Sequence, residues 1–410
     1  MLLLKTVLKF LYLALVTTLI LFLLLKIKHV LQEQKQYVSL PDYGKSIEFD
    51  PEREGGQMLP NLDQLMRSEK PSQAVRVVTN SKGFRNEKEF AYEHAERTFR
   101  ILFMGDSYVD GMRTDQTKTI GYLLEKELNE KNRDSRFDRY EVMISSHNNP
   151  TNAWYCYQRH GYKYKPNLVL LGVTLGNDLT WNSYRVTFAP VKDARGKLSL
   201  EPTQETVRDT QKGQGLMIPE DAYVSKSLLD IFVKIERKIR EFLAKRSALF
   251  GYETPPVLYP LASWPRHFFA TDFSVSLGLF YSPLMPEMDT LYSDLEENLS
   301  GLNEEVARTG SRLVVVLFPV RIQLHGKDWD LLKKLYFLDE KKFDLEYPDK
   351  RLLAFCRKNN ILCTDVLPAF QEISQKTPGS HLYRPRGDMH FSEKGQEAAA
   401  AKLYEFLRSL

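Results

Sequence analysis

The chain has 410 residues, 43% hydrophobic and 27% charged, enough for one large folded domain with an insertion or for two domains. Its formal net charge is only +4, and five lysines against one glutamate within residues 1–35 account for it, leaving the remainder near neutral. That balance excludes a nucleic-acid-binding body, which needs a basic face, and three cysteines are too few for a disulfide scaffold.

The first element is apolar. Phe10 to Leu25 carries no charge, and with Thr6 to Lys9 it makes a segment over 6–25 of about 20 residues, or roughly 30 Å of helix, enough to span a bilayer. Lys5 and Lys9 flank one end and Lys26 and Lys28 the other, so charge bias does not choose an orientation. No small-x-small cleavage site follows the apolar run, which favours an uncleaved, single-pass signal anchor over a removed signal peptide. Residues 1–5 are then a short N-terminal flank. Residues 26–95, punctuated by Pro41, Pro51, Pro60 and Pro71, read as a stalk with a small folded element that includes a short strand at Val75–Val78.

From residue 96 to 410 the pattern is that of one domain in which strands and helices alternate. Apolar runs predict strands at Arg100–Met104, Tyr140–Ser145, Asn167–Thr174, Arg312–Phe318 and Ile361–Asp365. Helical spacing of apolar residues predicts helices over 119–131, 152–162, 287–308, 352–358 and 393–410. Near-continuous apolar strands between amphipathic helices imply a mostly parallel five-stranded sheet covered on both faces, an α/β/α sandwich. Residues 180–285 break the rhythm and read as an insertion or lid. Within them Ile231, Ile235, Ile239 and Phe242 mark an amphipathic helix whose Lys and Arg residues alternate with Glu236 and Glu241, so a packed helix with a solvated face is preferred to a membrane-surface one. Cys156, Cys356 and Cys363 fit no metal-ligand spacing and read as small buried thiols, with a Cys356–Cys363 disulfide left open.

The chemistry concentrates at three loop positions. Gly105-Asp106-Ser107 follows the first strand, Gly176-Asn177-Asp178 follows the third, and Gly387-Asp388-Met389-His390 precedes the last helix. In a parallel sheet the C-terminal ends of neighbouring strands face one crevice. A serine there needs a base, an orienting carboxylate and oxyanion donors. Ser107 is the candidate nucleophile, His390 the base, Asp388 its orienting acid and Asn177 an oxyanion donor.

These blocks resemble the SGNH/GDSL hydrolase superfamily, over roughly residues 80–410. Gly105-Asp106-Ser107, Gly176-Asn177-Asp178, and Asp388-Met389-His390 with Gly395 downstream occur in the family's order. Asn80-Ser81-Lys82-Gly83-Phe84-Arg85 looks like the N-x-x-G-F-R element of membrane-anchored bacterial members, and Lys165 to Leu170 looks like the lead-in to the third block. Two features depart from the pattern. The second block has Ser146-His147-Asn148-Asn149-Pro150 where a glycine usually supplies an oxyanion N–H, so Asn148 or Asn149 is the expected donor, with Asn149 chosen. The acid and histidine are separated by one residue instead of two.

The resemblance implies a flavodoxin-like fold and a membrane-held serine esterase. It would need no cofactor or metal and would form an acyl-enzyme on Ser107. The expected substrate is an acyl, usually acetyl, ester on a cell-surface glycan or lipid, with the domain outside the cytoplasm. Two alternatives stay open. One is an acyltransferase that passes the group to a polysaccharide hydroxyl. The other, suggested by the missing glycine, is a non-catalytic glycan-binding or assembly subunit with the same fold.

Overall fold

The computed structural model describes residues 17–18, 47–50, 55–68, 74–131, 134–146, 149–181, 188–192, 198–202, 277–324, 326–336, 338–384 and 389–410. Five parallel strands form the centre: β1 (Thr98–Met104), β2 (Arg139–Ser145), β3 (Leu168–Thr174), β4 (Arg312–Phe318) and β5 (Leu362–Asp365). Their order is β5-β4-β3-β1-β2. The chain steps from β1 to β2 in one direction and then crosses to β3 on the other side of β1. This reversal opens a crevice outside the C-terminal ends of β1 and β3, the site at which doubly wound sheets bind ligands.

Strand periodicity divides the core in two. Ile101, Phe103, Val142, Ile144, Leu168, Leu170, Val314, Val316 and Phe318 face one side. They meet α2 (Ile120–Lys131), α6 (Leu367–Lys376) and α7 (Glu393–Arg408). The alternate residues Leu102, Met104, Met143, Val169, Leu171, Val173, Leu313, Val315 and Leu317 face the other. They meet α3 (Pro150–Arg159), α4 (Pro286–Arg308) and α5 (Tyr347–Lys358). Successive Cβ atoms of a strand point to opposite faces, so strands covered on both sides must be apolar throughout. That is why these runs were legible as strands.

The five expected strands and five expected helices are all present, with shifted ends. The helix expected at 352–358 begins at Tyr347, with Pro348 in its first turn, where the missing N–H of proline costs no intrahelical bond. The helix expected over 152–162 ends at Arg159, and a 3-10 turn, Gly161–Tyr164, follows it. Helices at Gly326–Tyr336 and Leu367–Lys376 were not expected. Neither were antiparallel ribbons pairing Ile47–Asp50 with Gly55–Met58 and Phe188–Lys192 with Leu198–Pro202. The strand at Val75–Val78 is half of a third ribbon, Asp63–Arg67 with Ala74–Val78.

Phe84 and Phe90, from the segment read as stalk, and Leu277, Leu279 and Phe280, from the end of the segment read as insertion, pack into the same core as β3 and α4. The expected amphipathic helix at 231–242 lies outside the described residues. So does the expected membrane anchor at 6–25, apart from Thr17 and Thr18, which are helical. Among the described residues no helix is long and apolar enough to cross a membrane. Cys356 and Cys363 form no disulfide, and Cys156 and Cys356 are buried.

One buried acid makes the fold sensitive to pH. Asp349, in the first turn of α5, is 3% exposed. Gln323 Nε2 donates to its Oδ2 at 2.5 Å, while Oδ1 has no hydrogen-bond partner among the described residues. Burial, and then the charge of Asp365, push its carboxyl up to about 8. A carboxyl raised by folding stabilises the fold fully below the unfolded value near 4 and loses that contribution as pH rises through the folded value. Between those limits one proton corresponds to about 1.4 kcal/mol per pH unit. Burial raises Asp365 to about 6 and raises Asp106 and Asp178 in the same direction, so all three share the wild-type slope. Asp349→Asn is therefore expected to flatten the fall in thermal midpoint between pH 5 and 8 by one group's share. Unchanged slopes in melts across that range would show that Asp349 is ionised throughout.

Candidate active site

The turn that carries Ser107 is built by tight packing after β1. A Cβ on Gly105 would lie 2.3 Å from a methyl of Val109 and 3.2 Å from the carbonyl of Gly172. Close approach of Val109 is therefore the reason for glycine here. The chain turns immediately into the one-turn helix α1 (Ser107–Asp110). Asp106 caps it, accepting from Tyr108 N, and Gly111 ends it in the left-handed conformation at φ 65°.

Asp106 does more than cap. Its carboxylate accepts from Tyr108 N at 2.9 Å, from Thr174 Oγ1 at 3.1 Å and from Asn177 Nδ2 at 2.9 Å. It thus joins the C-terminal ends of β1 and β3 and fixes the Asn177 amide. An amide NH2 group has two hydrogens, and the bond to Asp106 uses one. Burial raises the Asp106 carboxyl, and the bonds from Tyr108, Asn177 and Thr174 oppose that rise. Asp178 stands behind it, accepting from Thr174 N at 2.7 Å. Burial, and then the Asp106 charge, push Asp178 well above the usual carboxylate range. The adjacent acids are therefore structural, whereas Ser107, Asn177 and His390 are all part-exposed at the crevice.

The third block arrives from the far end of the chain. Ser107 Oγ lies 2.8 Å from His390 Nε2 across 283 positions of sequence. The Tyr108 hydroxyl donates to the Met389 carbonyl at 2.5 Å, and its ring lies 5.4 Å from the His390 ring. Ser392 then caps α7 through Gly395 N. A Cβ on Gly395 would come 2.1 Å from the Leu382 carbonyl, so this glycine lets the helix start press against the strand-like segment before the histidine. Gln396 completes the junction, accepting from Ile120 N at 2.9 Å and donating to the Tyr108 carbonyl at 3.3 Å.

The expected site residues therefore have different standings. Ser107 and His390 are in hydrogen-bond contact, and Asn177 joins them through Asp106. Asp388 lies outside the described residues. Asn149 is used structurally: it caps α3, its side chain accepting from Asn152 N and its carbonyl from Ala153 N, both at 2.8 Å. Those bonds occupy its side-chain oxygen and its carbonyl, neither of which an oxyanion role requires.

Two buried arginines escaped the sequence reading as site residues. Arg85 is fully buried and donates to the Asp110 carbonyl, to the Gly111 carbonyl at 2.9 Å and to the Thr114 carbonyl at 2.6 Å. It also pairs with the Asp110 carboxylate at 3.3 Å. The Asn80–Arg85 element is thus a clamp on the C-terminal end of α1. Asn80 Oδ1 accepts from Lys82 N and Phe84 N, Gly83 takes φ 78°, and Phe84 wedges against Phe90 and Tyr164. The only available signal was the motif itself. Arg384 is the second such arginine.

No family model and no curated protein matches this sequence. Among solved structures the chain is similar to TesA, with 10% identity and a TM-score of 0.35 over 76% of this chain and 98% of that one. It is similar to the acetyl xylan esterase AlAXEase, with 12% identity and a TM-score of 0.37 over 75% and 100% of the two chains. It is also similar to a catalytic mutant of Axe2, an acetylxylan esterase from Geobacillus stearothermophilus, with 12% identity and a TM-score of 0.37 over 76% and 93%.

Proposed function

We propose that this chain is a serine esterase of the SGNH/GDSL type that cleaves acyl esters through an acyl-enzyme on Ser107. The 2.8 Å contact between Ser107 Oγ and His390 Nε2 carries the reading. With its proton on Nδ1, the imidazole accepts the serine hydroxyl proton as Oγ attacks the ester carbonyl. The same nitrogen then returns the proton to the leaving alcohol, and water repeats the sequence to release the acid. Asp388, two residues before His390, is assigned to the Nδ1–H, where it would hold the tautomer and stabilise the imidazolium. The oxyanion is assigned to the Ser107 N–H, the second amide hydrogen of Asn177 and the backbone N–H of Asn149. The first N–H groups of a helix have no intrahelical acceptor, which supports the use of the Ser107 amide.

The substrate we assign is an acetyl or other short acyl ester on a glycan or lipid at the cell surface. The apolar segment at 6–25 supports a domain held beside a membrane, and the motif resemblance supports one outside the cytoplasm. A fluorophosphonate probe separates this reading from a non-catalytic subunit. The wild-type protein is expected to be labelled at Ser107, and Ser107→Ala to lose both labelling and p-nitrophenyl acetate hydrolysis. Labelling of Ser107→Ala at the wild-type rate would remove Ser107 as nucleophile.

A further inference from the structure

Ser107 and His390 come from opposite ends of the domain, and one buried side chain spans the two loops that carry them. On the histidine side, Tyr383 and Phe391 form an antiparallel bridge, Ser392 N donates to the Leu382 carbonyl at 2.9 Å and Arg384 N to the His390 carbonyl at 3.0 Å. These pairs make a narrow ribbon that includes Arg384. Its guanidinium turns back along the ribbon, where Nε donates to the Phe391 carbonyl at 3.1 Å. Nη2 then crosses to the loop after the nucleophile helix. There it donates to the Met112 carbonyl and, at 2.9 Å, to Thr114 Oγ1.

That loop is coupled to the nucleophile, since Met112 N donates to the Ser107 carbonyl at 3.0 Å and Gly111 N donates to the same oxygen. Thr114 is gripped from both sides, its hydroxyl by Arg384 and its carbonyl by Arg85. Behind Arg384, Arg321 Nη1 donates to the Arg384 carbonyl at 2.6 Å, and Arg321 Nε is itself held by Asp328 at 2.5 Å. Arg384 is 2% exposed. Burying a guanidinium is costly unless several acceptors meet it, and here they come from both catalytic loops. Its planar fork aims Nε and Nη2 in fixed directions, which a lysine ammonium cannot do.

We infer that Arg384 is a positioning residue that sets the separation of Ser107 Oγ and His390 Nε2 by tying the histidine ribbon to the nucleophile loop. The inference rests on the reading of Ser107 and His390 as nucleophile and base. Arg384 acts through the backbone of both loops rather than on the substrate. Removing it lets the base drift, and a displacement near 1 Å costs on the order of 10²-fold in rate.

The test compares full-length wild type, Arg384→Met, Arg384→Lys and Thr114→Val in fluorophosphonate labelling, in p-nitrophenyl acetate kinetics and in thermal melts. Arg384→Met is expected to fold and to lose about 10²-fold in kcat, with KM changed by less than about threefold. Its labelling rate should fall by the same factor as kcat/KM, because both report the Ser107–His390 contact. Arg384→Lys keeps the charge without the fork and is expected to recover no more than about tenfold. Should Arg384→Met fail to fold, Thr114→Val, which removes a single acceptor, decides: a kcat loss of about threefold or more supports the inference and wild-type kinetics overturns it. A folded Arg384→Met with wild-type kcat and labelling also overturns it, leaving the catalytic reading intact. An activity loss matching only the unfolded fraction reduces Arg384 to a stability role and overturns it. If wild type itself is not labelled at Ser107, the catalytic reading falls and this inference falls with it.

Discussion

His390→Ala is expected to reduce kcat for p-nitrophenyl acetate by at least about 10³-fold, and Ser107→Ala/His390→Ala to be no slower than the slower single variant. The expectation follows from one hydrogen bond. A serine hydroxyl is a weak nucleophile until a base accepts its proton, so once either partner of the 2.8 Å contact is gone the other has nothing left to do. Groups that act as a unit are non-additive for this reason. Residual rate above the uncatalysed reaction would come from the oxyanion donors and from binding, and removing Asn177 should lower it further. Single-turnover kinetics on the four proteins checks the unit. If the double variant shows the product of the two single losses, serine and histidine contribute independently and the pair is not a nucleophile and its base.

How much of this site could be read from the sequence depended on where each side chain's partners lie. Val314 to Leu317 and Leu168 to Leu171 announce themselves because strands covered on both faces exclude polar residues. Once they are placed, Ser107, Asn177 and His390 fall at loop positions that a parallel sheet brings to one crevice. The helix at Leu367–Lys376 was missed because only Val366 separates it from β5, so Asp365, which accepts from Leu367 N at 2.8 Å, and Pro368 in the first turn read as the end of a strand rather than the start of a helix. Asp106 was legible as part of a tripeptide and not as the group that binds Asn177, because its partners lie 68 and 71 residues away. Arg85 and Arg384 were the least legible of all. Arginine is an exposed residue by default, and what buries these two is a set of backbone carbonyls that carry no sequence signature.

Arg85→Met is expected to cost about 3–5 kcal/mol of stability, the range for breaking a buried charge pair by removing one partner. Methionine fills a comparable length of the cavity, so the loss isolates the polar role of the guanidinium. Without it the Asp110 carboxylate, which is 0% exposed, loses its cationic partner, and the Asp110, Gly111 and Thr114 carbonyls lose a charged donor at the C-terminal end of the nucleophile helix. Surface ion pairs give no such effect: Arg76 with Asp63 and Arg97 with Asp138 are both largely exposed, where water screens their charges. For a domain of roughly 300 residues, with an unfolding entropy of about 2.1 cal/mol/K per residue, the expected loss lowers the thermal midpoint by about 5–8 °C. Arg85→Met/Asp110→Leu should recover part of it, since an apolar pair leaves no uncompensated charge, whereas its activity should stay low because Thr114 is then held from the Arg384 side alone. Thermal melts of the three proteins decide the matter: a midpoint for Arg85→Met within about 2 °C of wild type would mean that Arg85 does not clamp the nucleophile helix.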